Sequence, residues 1–250
     1  MNLPDVFTAK PIAHRGLHDA SGGVIENSVA AFTRAIEHGY GIELDLQLSS
    51  DDHAMVFHDY ALSRLTDLSG SIRQRARADL VGTQLTGSQD KIHDLRDILA
   101  LIDGQVPLLI ELKDQDGAMG PDIGTLEEAT TDCLKNYGGA VAVMSFNPHS
   151  VARMAELMPD VPRGIVTSAY DPNNWPLPAK IRDQLREISD YDRTGACFIS
   201  HEAGDLERPR VGALKQAGAT ILCWTVRSQS AEEHALQIAD NITFEGYLPS

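Results

Sequence analysis

Cysteine is scarce in this 250-residue chain, and its positions argue against the structures that cysteines most often build. There are three cysteines, an odd number, and no two of them form a CxxC pair. They lie far apart, at Cys133, Cys197 and Cys223. This distribution is typical of small buried residues in a reducing compartment, and it disfavours a disulfide framework or a cysteine-ligated zinc site.

Positive charge is also in short supply. Lys and Arg number 21 against 36 Asp and Glu, which gives a formal net charge of −15 at pH 7. A protein of this sign repels nucleic acids and anionic membranes, so we expect neither as a partner. It also repels phosphate at long range. A phosphate site would therefore need its own local positive charge, and a divalent cation is the obvious source.

Long apolar runs and two common motifs are missing as well. No run approaches the roughly 20 residues that cross a bilayer, and residues 1–11 lack a basic stretch followed by an apolar one. We therefore expect no stable membrane association and a cytoplasmic location. No GxGxxG turn follows the first apolar run, and no repeat of fixed period is present. The length fits one large α/β domain, residues 1–250.

The most informative stretch, residues 41–59, places two carboxylates in an apolar run. Glu43 and Asp45 alternate with isoleucine and leucine between residues 42 and 48. Because strand side chains point alternately to opposite faces, this spacing predicts a strand with both carboxylates on one face. The density of apolar residues indicates burial on both faces, and a buried carboxylate needs a partner or a metal.

The next apolar run, residues 54–58, follows too closely to be a parallel neighbour. A parallel crossover needs about a dozen residues or more, and only residues 47–53 intervene. We therefore predict a β-hairpin inserted after the second strand, with a two-residue loop at 51–52. That register places Asp45 opposite His58, so that two carboxylates and an imidazole meet on one face.

The rest of the chain indicates a barrel. Segment 60–90 has little periodicity and is predicted to be a loop or small insertion over the site. From residue 91 onward, strands and helices alternate. Leaving out the second arm of the hairpin, the candidate parallel strands lie near residues 12, 44, 109, 143, 165, 198, 222 and 243. This pattern favours an α/β fold of the (β/α)8 TIM barrel type, with a doubly wound open sheet as the alternative.

Charged residues end several of the predicted strands, where the chemistry of such barrels takes place. Glu43, Asp45 and Glu111 come from neighbouring strands and are hard oxygen ligands of the kind that Mg²⁺ or Ca²⁺ prefers. His14 and His58 are candidates for an acid and a base near neutral pH.

Basic and aromatic residues fall on the same rim. Arg15 and Lys113 are candidates for holding a phosphate, and Trp224 offers an apolar wall. Each has an ordinary interpretation when taken alone, since Lys113 would be a surface lysine and Trp224 a core residue. Their joint occurrence at strand ends favours a functional site. His201 also ends a strand and is a candidate to face the site, although nothing in the sequence assigns it a role.

The ordered motifs resemble those of a known family. They are IAHRG at 12–16, IENS at 25–28, GIELDLQL at 41–48, MVFHD at 55–59, LLIELK at 108–113, Ser145-Phe146 and CWTV at 223–226. This set is similar to that of the glycerophosphodiester phosphodiesterases, which belong to the phosphatidylinositol-phospholipase-C-like TIM barrels. The resemblance extends from about residue 11 to residue 247. HRG with ELD and FHD at this spacing is specific, whereas any one of them alone is weak.

The resemblance implies roles for these residues and a reaction. The implied roles are His14 and His58 as general acid and base, Glu43, Asp45 and Glu111 as ligands of one divalent cation, and Arg15 and Lys113 on the phosphate. Glu26 matches the Glu-Asn motif of the family and is implied to support the site. The implied reaction is hydrolysis of a glycerophosphodiester, a small-molecule substrate, to glycerol 3-phosphate and an alcohol. Attack by the glycerol 2-hydroxyl would form a cyclic phosphate, which water then opens.

Two positions depart from the family pattern. The usual asparagine after WTV is Arg227, and the usual closing ITD reads as ITFE, with Phe244 and Glu245 at its end. Both positions lie at the predicted rim, so we expect them to affect head-group preference more than the reaction.

Two other functions remain open. One is a phospholipase-D- or C-like enzyme acting on lysophospholipids or sphingomyelin, which the polar segment 60–90 disfavours. The other is a catalytically silent barrel that binds phosphodiesters, which the intact histidines and carboxylates disfavour. The sequence assigns neither the metal, the head group nor the oligomeric state.

Overall fold

The computed structural model describes residues 1–249, and it contains strands and helices in alternation. The strands are β1 (Ile12–Ala13), β2 (Gly41–Leu48), β3 (Ala54–Val56), β4 (His93–Asp94), β5 (Leu108–Leu112), β6 (Val141–Ser145), β7 (Arg163–Thr167), β8 (Phe198–Glu202), β9 (Thr220–Val226) and β10 (Asn241–Phe244). The α-helices are α1 (Val29–His38), α2 (Arg77–Leu80), α3 (Leu95–Ile102), α4 (Thr125–Leu134), α5 (Pro148–Leu157), α6 (Ala179–Arg186), α7 (Pro209–Gln216) and α8 (Gln229–Ala235). Among residues 1–249, every helix is too short or too polar to cross a lipid bilayer.

A closed parallel barrel forms the centre of the molecule. Its strands follow the order β1-β2-β5-β6-β7-β8-β9-β10, and β1 pairs with both β2 and β10 to close the ring. At least one helix lies between each pair of consecutive barrel strands. The predicted (β/α)8 barrel is therefore confirmed, and the open-sheet alternative is wrong. Each of the eight strand positions expected from the sequence falls within an observed strand.

Alternation of side chains along the strands builds two apolar layers. One set of residues packs between the barrel and its helices, and it includes Leu44 and Leu46 of β2. The other set fills the barrel interior, where Leu109, Phe198 and Leu222 lie in one cluster. Both faces of each barrel strand are thus buried, which explains the nearly continuous apolar runs in the sequence. Glu43 and Asp45 of β2 both lie on the face of the strand that points into the barrel.

The second arm of the hairpin lies beside the C-terminal end of β2. Strand β3 runs antiparallel to β2, with Leu46 paired to Val56 and Leu48 to Ala54. In this register Phe57 donates its backbone N–H to the carbonyl of Asp45 at 3.0 Å. The register therefore differs by one residue from the sequence expectation, which placed His58 opposite Asp45.

The shift in register arises from the turn. The loop holds residues 50–52, one more than expected, and the Ser49 N–H donates to the His53 carbonyl at 3.0 Å. Asp52 adopts a left-handed backbone with φ 62°, as loops of this length commonly require. The Ser49 hydroxyl accepts the His53 N–H at 2.9 Å and donates to the Asp51 carboxylate at 2.7 Å. A side chain therefore stabilises the longer loop.

Segment 60–90 is more ordered than its sequence suggests. It contains two 3₁₀ turns, at Leu62–Arg64 and Ile72–Gln74, followed by α2. Its leucines and isoleucines pack against the second arm of the hairpin in an apolar cluster of its own, which includes Met55, Phe57, Leu62, Ile72, Leu80 and Leu85. Elements this short show no helical or strand periodicity, which explains why the sequence pattern misses them.

Candidate active site

The C-terminal ends of the barrel strands surround a cleft of about 520 Å³. Most of the predicted site residues line it, namely His14, Arg15, Glu43, His58, Glu111, Lys113 and Trp224. Two others lie directly behind them, because Asp45 contacts Lys113 and Glu26 contacts Arg15. The structure therefore brings all of the predicted site residues to one place.

The carboxylates of Glu43, Asp45 and Glu111 form a buried cluster at the base of the cleft. Their ligand oxygen atoms lie within 4.8 Å of one another. Strands β2 and β5 pair so that Asp45 lies beside Glu111, and Glu43 is on the same face two residues earlier. Three buried carboxylate oxygens this close are a donor set that suits a hard divalent cation. The residues present therefore fit the cation that the sequence implies.

Two basic side chains neutralise part of this charge. The Lys113 ammonium lies 2.8 Å from Oδ1 of Asp45 and 2.6 Å from Oε1 of Glu111. Nε of Arg15 lies 3.2 Å from Oδ2 of Asp45, and the backbone N–H of Arg15 donates to Glu43 at 2.9 Å. Three ionised carboxylates and two cations carry a net charge of −1, so a bound divalent cation would leave the cluster positive.

The acidic side chains of the cluster differ in acidity. Burial raises the pKa of Glu43 well above its ordinary value, and the neighbouring charges of Asp45 and Glu111 add to the effect. Burial also opposes ionisation of Asp45, but the positive charges around it, with Lys113 first, lower its pKa strongly. Of these two carboxylates, Glu43 therefore takes up a proton first as the pH falls.

His14 is held by a carboxylate from the last strand. Its Nδ1 lies 2.5 Å from Oε2 of Glu245. Burial lowers the pKa of His14, and this hydrogen bond offsets part of the effect. Since a carboxylate only accepts, the neutral ring carries its proton on Nδ1 and leaves Nε2 free as an acceptor. Such a ring is suited to accept a proton at Nε2.

The turn after β1 explains why a glycine ends the HRG motif. Arg15 and Gly16 both have positive φ, at 54° and 78°. A Cβ on Gly16 would lie 2.9 Å from the backbone of Ala31, so helix α1 approaches too closely for a side chain. The turn directs the Arg15 guanidinium toward the carboxylates.

His58 is held in a similar way, through a chain of charges. Its Nδ1 lies 2.6 Å from Oδ1 of Asp59. The guanidinium of Arg64 donates to Asp59 at 2.5 and 3.0 Å and to Glu26 at 2.7 and 2.8 Å. Glu26 in turn accepts from Arg15 at 2.7 Å. We call Asp59, Arg64 and Glu26 the Arg64 clamp, since one guanidinium from segment 60–90 joins the supports of His58 and Arg15.

Aromatic side chains form the apolar wall of the cleft. The ring of Trp224 packs edge-on against Phe146 at a centroid distance of 5.5 Å, and Phe146 contacts Trp175 at 4.8 Å. The indole Nε1–H donates to the carbonyl of Ser200 at 3.0 Å, which fixes the orientation of the ring. Trp224 thus presents apolar surface to the cleft with its polar atom satisfied.

Sequence reasoning missed the role of Glu245. Thr243 lines the cleft, Phe244 packs outward among the barrel–helix residues, and Glu245 points back toward His14. A carboxylate at position 244 would face the helices, so the acidic group acts from the next inward position. The expectation that this departure affects the head group more than the reaction is therefore revised, because Glu245 contacts a predicted catalytic histidine. The available signal was an acidic residue just beyond the last strand.

Two further polar residues, His201 and Asn27, are held by buried hydrogen bonds. His201 does not face the cleft: it is completely buried, its Nδ1 pairs with the Thr167 hydroxyl at 2.7 Å, and its Nε2 lies 3.1 Å from Asp205. Sequence reasoning assigns Asn27, which follows Glu26, no contact with the site carboxylates. Its side-chain amide donates to Asp45 at 2.9 Å, and its backbone has a φ of 56°.

The fold and the site together define a class of protein. Two carboxylate-held histidines beside a buried carboxylate cluster, at the C-terminal mouth of a (β/α)8 barrel, are typical of a barrel hydrolase that uses acid–base chemistry. The chain matches the Glycerophosphoryl diester phosphodiesterase family over residues 14–242. It therefore belongs to that family, and the resemblance inferred from its motifs is confirmed.

Individual relatives agree with this assignment. The chain is 31% identical over 229 residues to YhdW of Bacillus subtilis (strain 168), covering 87% of this chain and 86% of that protein. It is 27% identical over 243 residues to a glycerophosphodiester phosphodiesterase of the same strain, covering 90% and 78%. An Oleispira antarctica phosphodiesterase, solved in complex with the product sn-glycerol-3-phosphate, superposes with a TM-score of 0.75 at 25% identity, covering 94% and 92%.

Proposed function

We propose that this chain hydrolyses glycerophosphodiesters to glycerol 3-phosphate and an alcohol, with one divalent cation, Mg²⁺ or Ca²⁺. The observation that carries the proposal is that His14 and His58, each held by a carboxylate, line the same cleft as Glu43 and Glu111. Membership of the family supports the substrate class. The glycerol 3-phosphate in the Oleispira antarctica relative supports the same product for this chain.

The cleft offers matching surfaces for the two parts of such a substrate. Arg15 and Lys113 both line it and provide positive charge for the phosphate, which the net charge of the molecule otherwise repels. Trp224 and Phe146 offer an apolar wall against which the carbon atoms of glycerol pack. The substrate is thereby placed between the two histidines.

The cation would be held by Glu43, Asp45 and Glu111. When bound, it would lower the pKa of a hydroxyl and neutralise charge that develops on the phosphate oxygens. The ammonium of Lys113 lies between Asp45 and Glu111 and also lines the cleft. It would therefore provide positive charge to the substrate phosphate from beside the carboxylate cluster.

The histidines would move the protons of the reaction. One takes the proton of the glycerol 2-hydroxyl, whose oxygen attacks phosphorus, while the other donates a proton to the oxygen of the departing alcohol. The bond from phosphorus to that alcohol breaks, and a cyclic phosphate forms. Water then opens the ring with the two roles reversed. Because Nδ1 of each ring faces a carboxylate, Nε2 is the atom available to the substrate in both.

We propose that segment 60–90 acts as a cover at the side of the cleft. The Tyr60 hydroxyl donates to the Asp114 carbonyl at 2.6 Å, and Arg64 joins Asp59 to Glu26. The segment is thus attached at two places to loops that follow barrel strands. A cover attached in this way limits the entry of water and fixes His58 in position.

A soluble head group suits the cleft better than a lipid tail. The exposed large apolar side chains among residues 1–249 are scattered: Met1, Val6, Tyr60, Leu236 and Leu248. A substrate with an acyl chain would need a continuous apolar surface at the mouth. We therefore consider lysophospholipids and sphingomyelin less suitable substrates than glycerophosphodiesters with a soluble head group. Comparing turnover of a diester with and without an acyl chain separates the two.

The test uses glycerophosphocholine and glycerophosphoethanolamine with Mg²⁺ or Ca²⁺ after removal of metals by chelation. We expect release of glycerol 3-phosphate that depends on added metal and falls at least about a hundredfold in His58→Ala. His53→Ala changes an exposed histidine of the same hairpin and should retain full turnover. Near-wild-type turnover in His58→Ala would contradict the acid–base assignment, and binding without turnover would favour the silent barrel.

A further inference from the structure

A second group of metal-ligating side chains lies beside the cleft. His14, His18 and Glu245 each offer one ligand atom, and these atoms lie within 4.8 Å of one another. Oε2 of Glu245 is 2.5 Å from Nδ1 of His14 and 3.5 Å from Nε2 of His18. Two imidazole nitrogens and a carboxylate differ in kind from the all-oxygen cluster of Glu43, Asp45 and Glu111, so the two groups should select different metals.

His18 has no role in the proposed reaction, and its ring nitrogen lacks a good partner. Its Nε2 is buried and has no hydrogen-bond partner among residues 1–249. The distance of 3.5 Å to Glu245 is too long for a strong hydrogen bond. A buried nitrogen without a partner is unfavourable, so the position suggests a ligand between His18 and Glu245.

The three side chains are held in place from outside the cluster. The backbone N–H of His18 donates to Gly16 at 2.9 Å, within the tight turn that follows β1. Nε of Arg227 binds Oε1 of Glu245 at 2.7 Å, which leaves Oε2 directed at the two imidazoles. A cavity of about 1060 Å³, lined in part by His18, Arg227 and Glu245, connects the cluster to solvent. This cavity gives a metal ion access and leaves room for water as a fourth ligand.

We propose that His14 Nδ1, His18 Nε2 and Glu245 Oε2 form a binding site for Zn²⁺, separate from the carboxylate cluster that takes Mg²⁺ or Ca²⁺. Zinc binds imidazole nitrogen and carboxylate oxygen at about 2.0–2.2 Å, commonly with three protein ligands and one water. Mg²⁺ and Ca²⁺ prefer oxygen, so they do not compete strongly for a site with two nitrogens. In binding, zinc takes the place of the proton that His14 shares with Glu245.

Occupation of this site inhibits turnover, an inference that rests on the proposed function. With zinc on Nδ1, the single proton of the neutral His14 ring moves to Nε2. That atom then donates a hydrogen bond and no longer accepts a proton from a substrate hydroxyl or from water. Glu245 is also withdrawn from its support of His14. The enzyme would therefore be switched off by a transition metal while its own cation stays in place.

The test measures binding first, so that it stands whether or not the enzyme turns over glycerophosphodiesters. Wild-type protein, saturated with Mg²⁺, is titrated with Co²⁺ as a spectroscopic substitute for zinc and then with Zn²⁺ as a competitor. We expect one site per chain with the visible absorption of four- or five-coordinate cobalt bound to nitrogen, lost when zinc is added. His18→Ala should weaken the affinity for both metals at least about tenfold. His38→Ala, which changes an exposed histidine of α1, should leave both affinities unchanged.

Turnover supplies the second measurement. His18→Ala should keep wild-type activity in Mg²⁺ alone and resist zinc concentrations that inhibit the wild type. The site is wrong if His18→Ala binds zinc as tightly as wild type, or if zinc binding disappears only in Glu111→Gln, which places the ion in the carboxylate cluster. Tight zinc binding through His18 without loss of turnover would overturn the inhibition.

Discussion

Oε2 of Glu245 lies 2.5 Å from Nδ1 of His14, two residues that are 231 positions apart in the chain. The contact depends on closure of the barrel, because β10 pairs with β1 and brings the end of the chain beside its start. Although burial opposes ionisation of Glu245, its hydrogen bond with His14 and the nearby positive charge of Arg227 lower its pKa strongly. The carboxylate is therefore ionised throughout the working range and orients His14.

Glu245→Gln tests that relationship. The amide keeps the size of the side chain and removes its charge, which otherwise raises the pKa of His14. We expect kcat to fall about tenfold to a hundredfold, and the acidic limb of the pH–rate profile to move to lower pH. Glu233→Gln, at an exposed position of α8, is the control. An unchanged pH profile would mean that Glu245 has no part in tuning His14.

Glu43 links metal affinity to pH. Burial and the neighbouring carboxylates raise its pKa well above the ordinary value, so a proton competes with the cation for this side chain as the pH falls. We expect Mg²⁺ affinity to decline as the pH is lowered toward the raised pKa of Glu43, and Glu43→Gln to weaken it at least about tenfold and flatten the pH dependence. Calorimetric titration measures both. Equal affinities for wild type and variant would remove Glu43 from the site, and Glu37→Gln on the surface of α1 controls for lost charge.

Arg64 is expected to act on the reaction without touching the substrate. Arg64→Ala leaves Asp59 and Glu26 without the guanidinium that joins them, so His58 and Arg15 lose a shared support. We expect kcat to fall about tenfold to a hundredfold with a smaller change in KM. Arg64→Lys should restore little, because one ammonium cannot replace two bidentate contacts.

The control for the clamp comes from the same segment. The Arg75 side chain makes one long hydrogen bond within residues 1–249, 3.4 Å to the Ser69 carbonyl, and Arg75→Ala should leave kcat unchanged. If Arg64→Ala and Arg75→Ala have the same kcat, the clamp does not position the histidine.

Much of the fold was open to prediction from the sequence because each barrel strand is buried on both faces. Because of this burial, strands such as Leu108–Leu112 and Thr220–Val226 are nearly continuous runs of apolar residues. Glycine or a capping residue separates these runs from the helices. The residues gathered around the cleft were predictable for a related reason. Charged groups inside such runs, including Glu43 and Glu111, occur at strand ends that converge on one rim.

What escaped prediction depends on contacts between distant parts of the chain. The hairpin register differs by one residue from the predicted register because the Ser49 side chain stabilises a longer loop. These hydrogen bonds leave no trace in the spacing of apolar residues. Arg64 is one arginine among several in an irregular segment, and its partners are known only once the path of that segment is fixed. Glu245 lies on the inward side of β10, beyond Thr243, and its partner His14 is at the opposite end of the chain, so their contact follows only from closure of the barrel.

His201 should make stability depend on pH without affecting the reaction. Burial lowers its pKa below the ordinary value of 6.5, although Asp205 acts in the opposite direction. Above about pH 6.5 the ring is neutral in both states and its contribution to stability is complete; below it the unfolded chain takes up a proton that the folded chain resists, so stability falls as the pH falls.

Urea unfolding at about pH 7.5 and about pH 5.5 measures this dependence. His201→Gln should lose about 1–3 kcal/mol at the higher pH, because the Thr167 and Asp205 contacts are disturbed, and should show a shallower decline toward the lower pH. The exposed His53→Gln should retain the wild-type slope. An equal slope in His201→Gln would assign the pH dependence to other groups.

Gly164 should be required by the packing of the barrel interior. A Cβ at this position of β7 would overlap the ring of Phe198, which fills the interior from β8. Because a strand of a closed barrel cannot move aside cheaply, we expect Gly164→Ala to lower the free energy of unfolding by about 1–3 kcal/mol. Gly212→Ala is the matched control, since nothing lies within 4 Å of its added Cβ in α7, and the loss of a helical glycine should stabilise by about 0.5–1 kcal/mol. Urea unfolding of both variants measures the difference, and a Gly164→Ala protein as stable as wild type would show that the Phe198 ring can shift without cost.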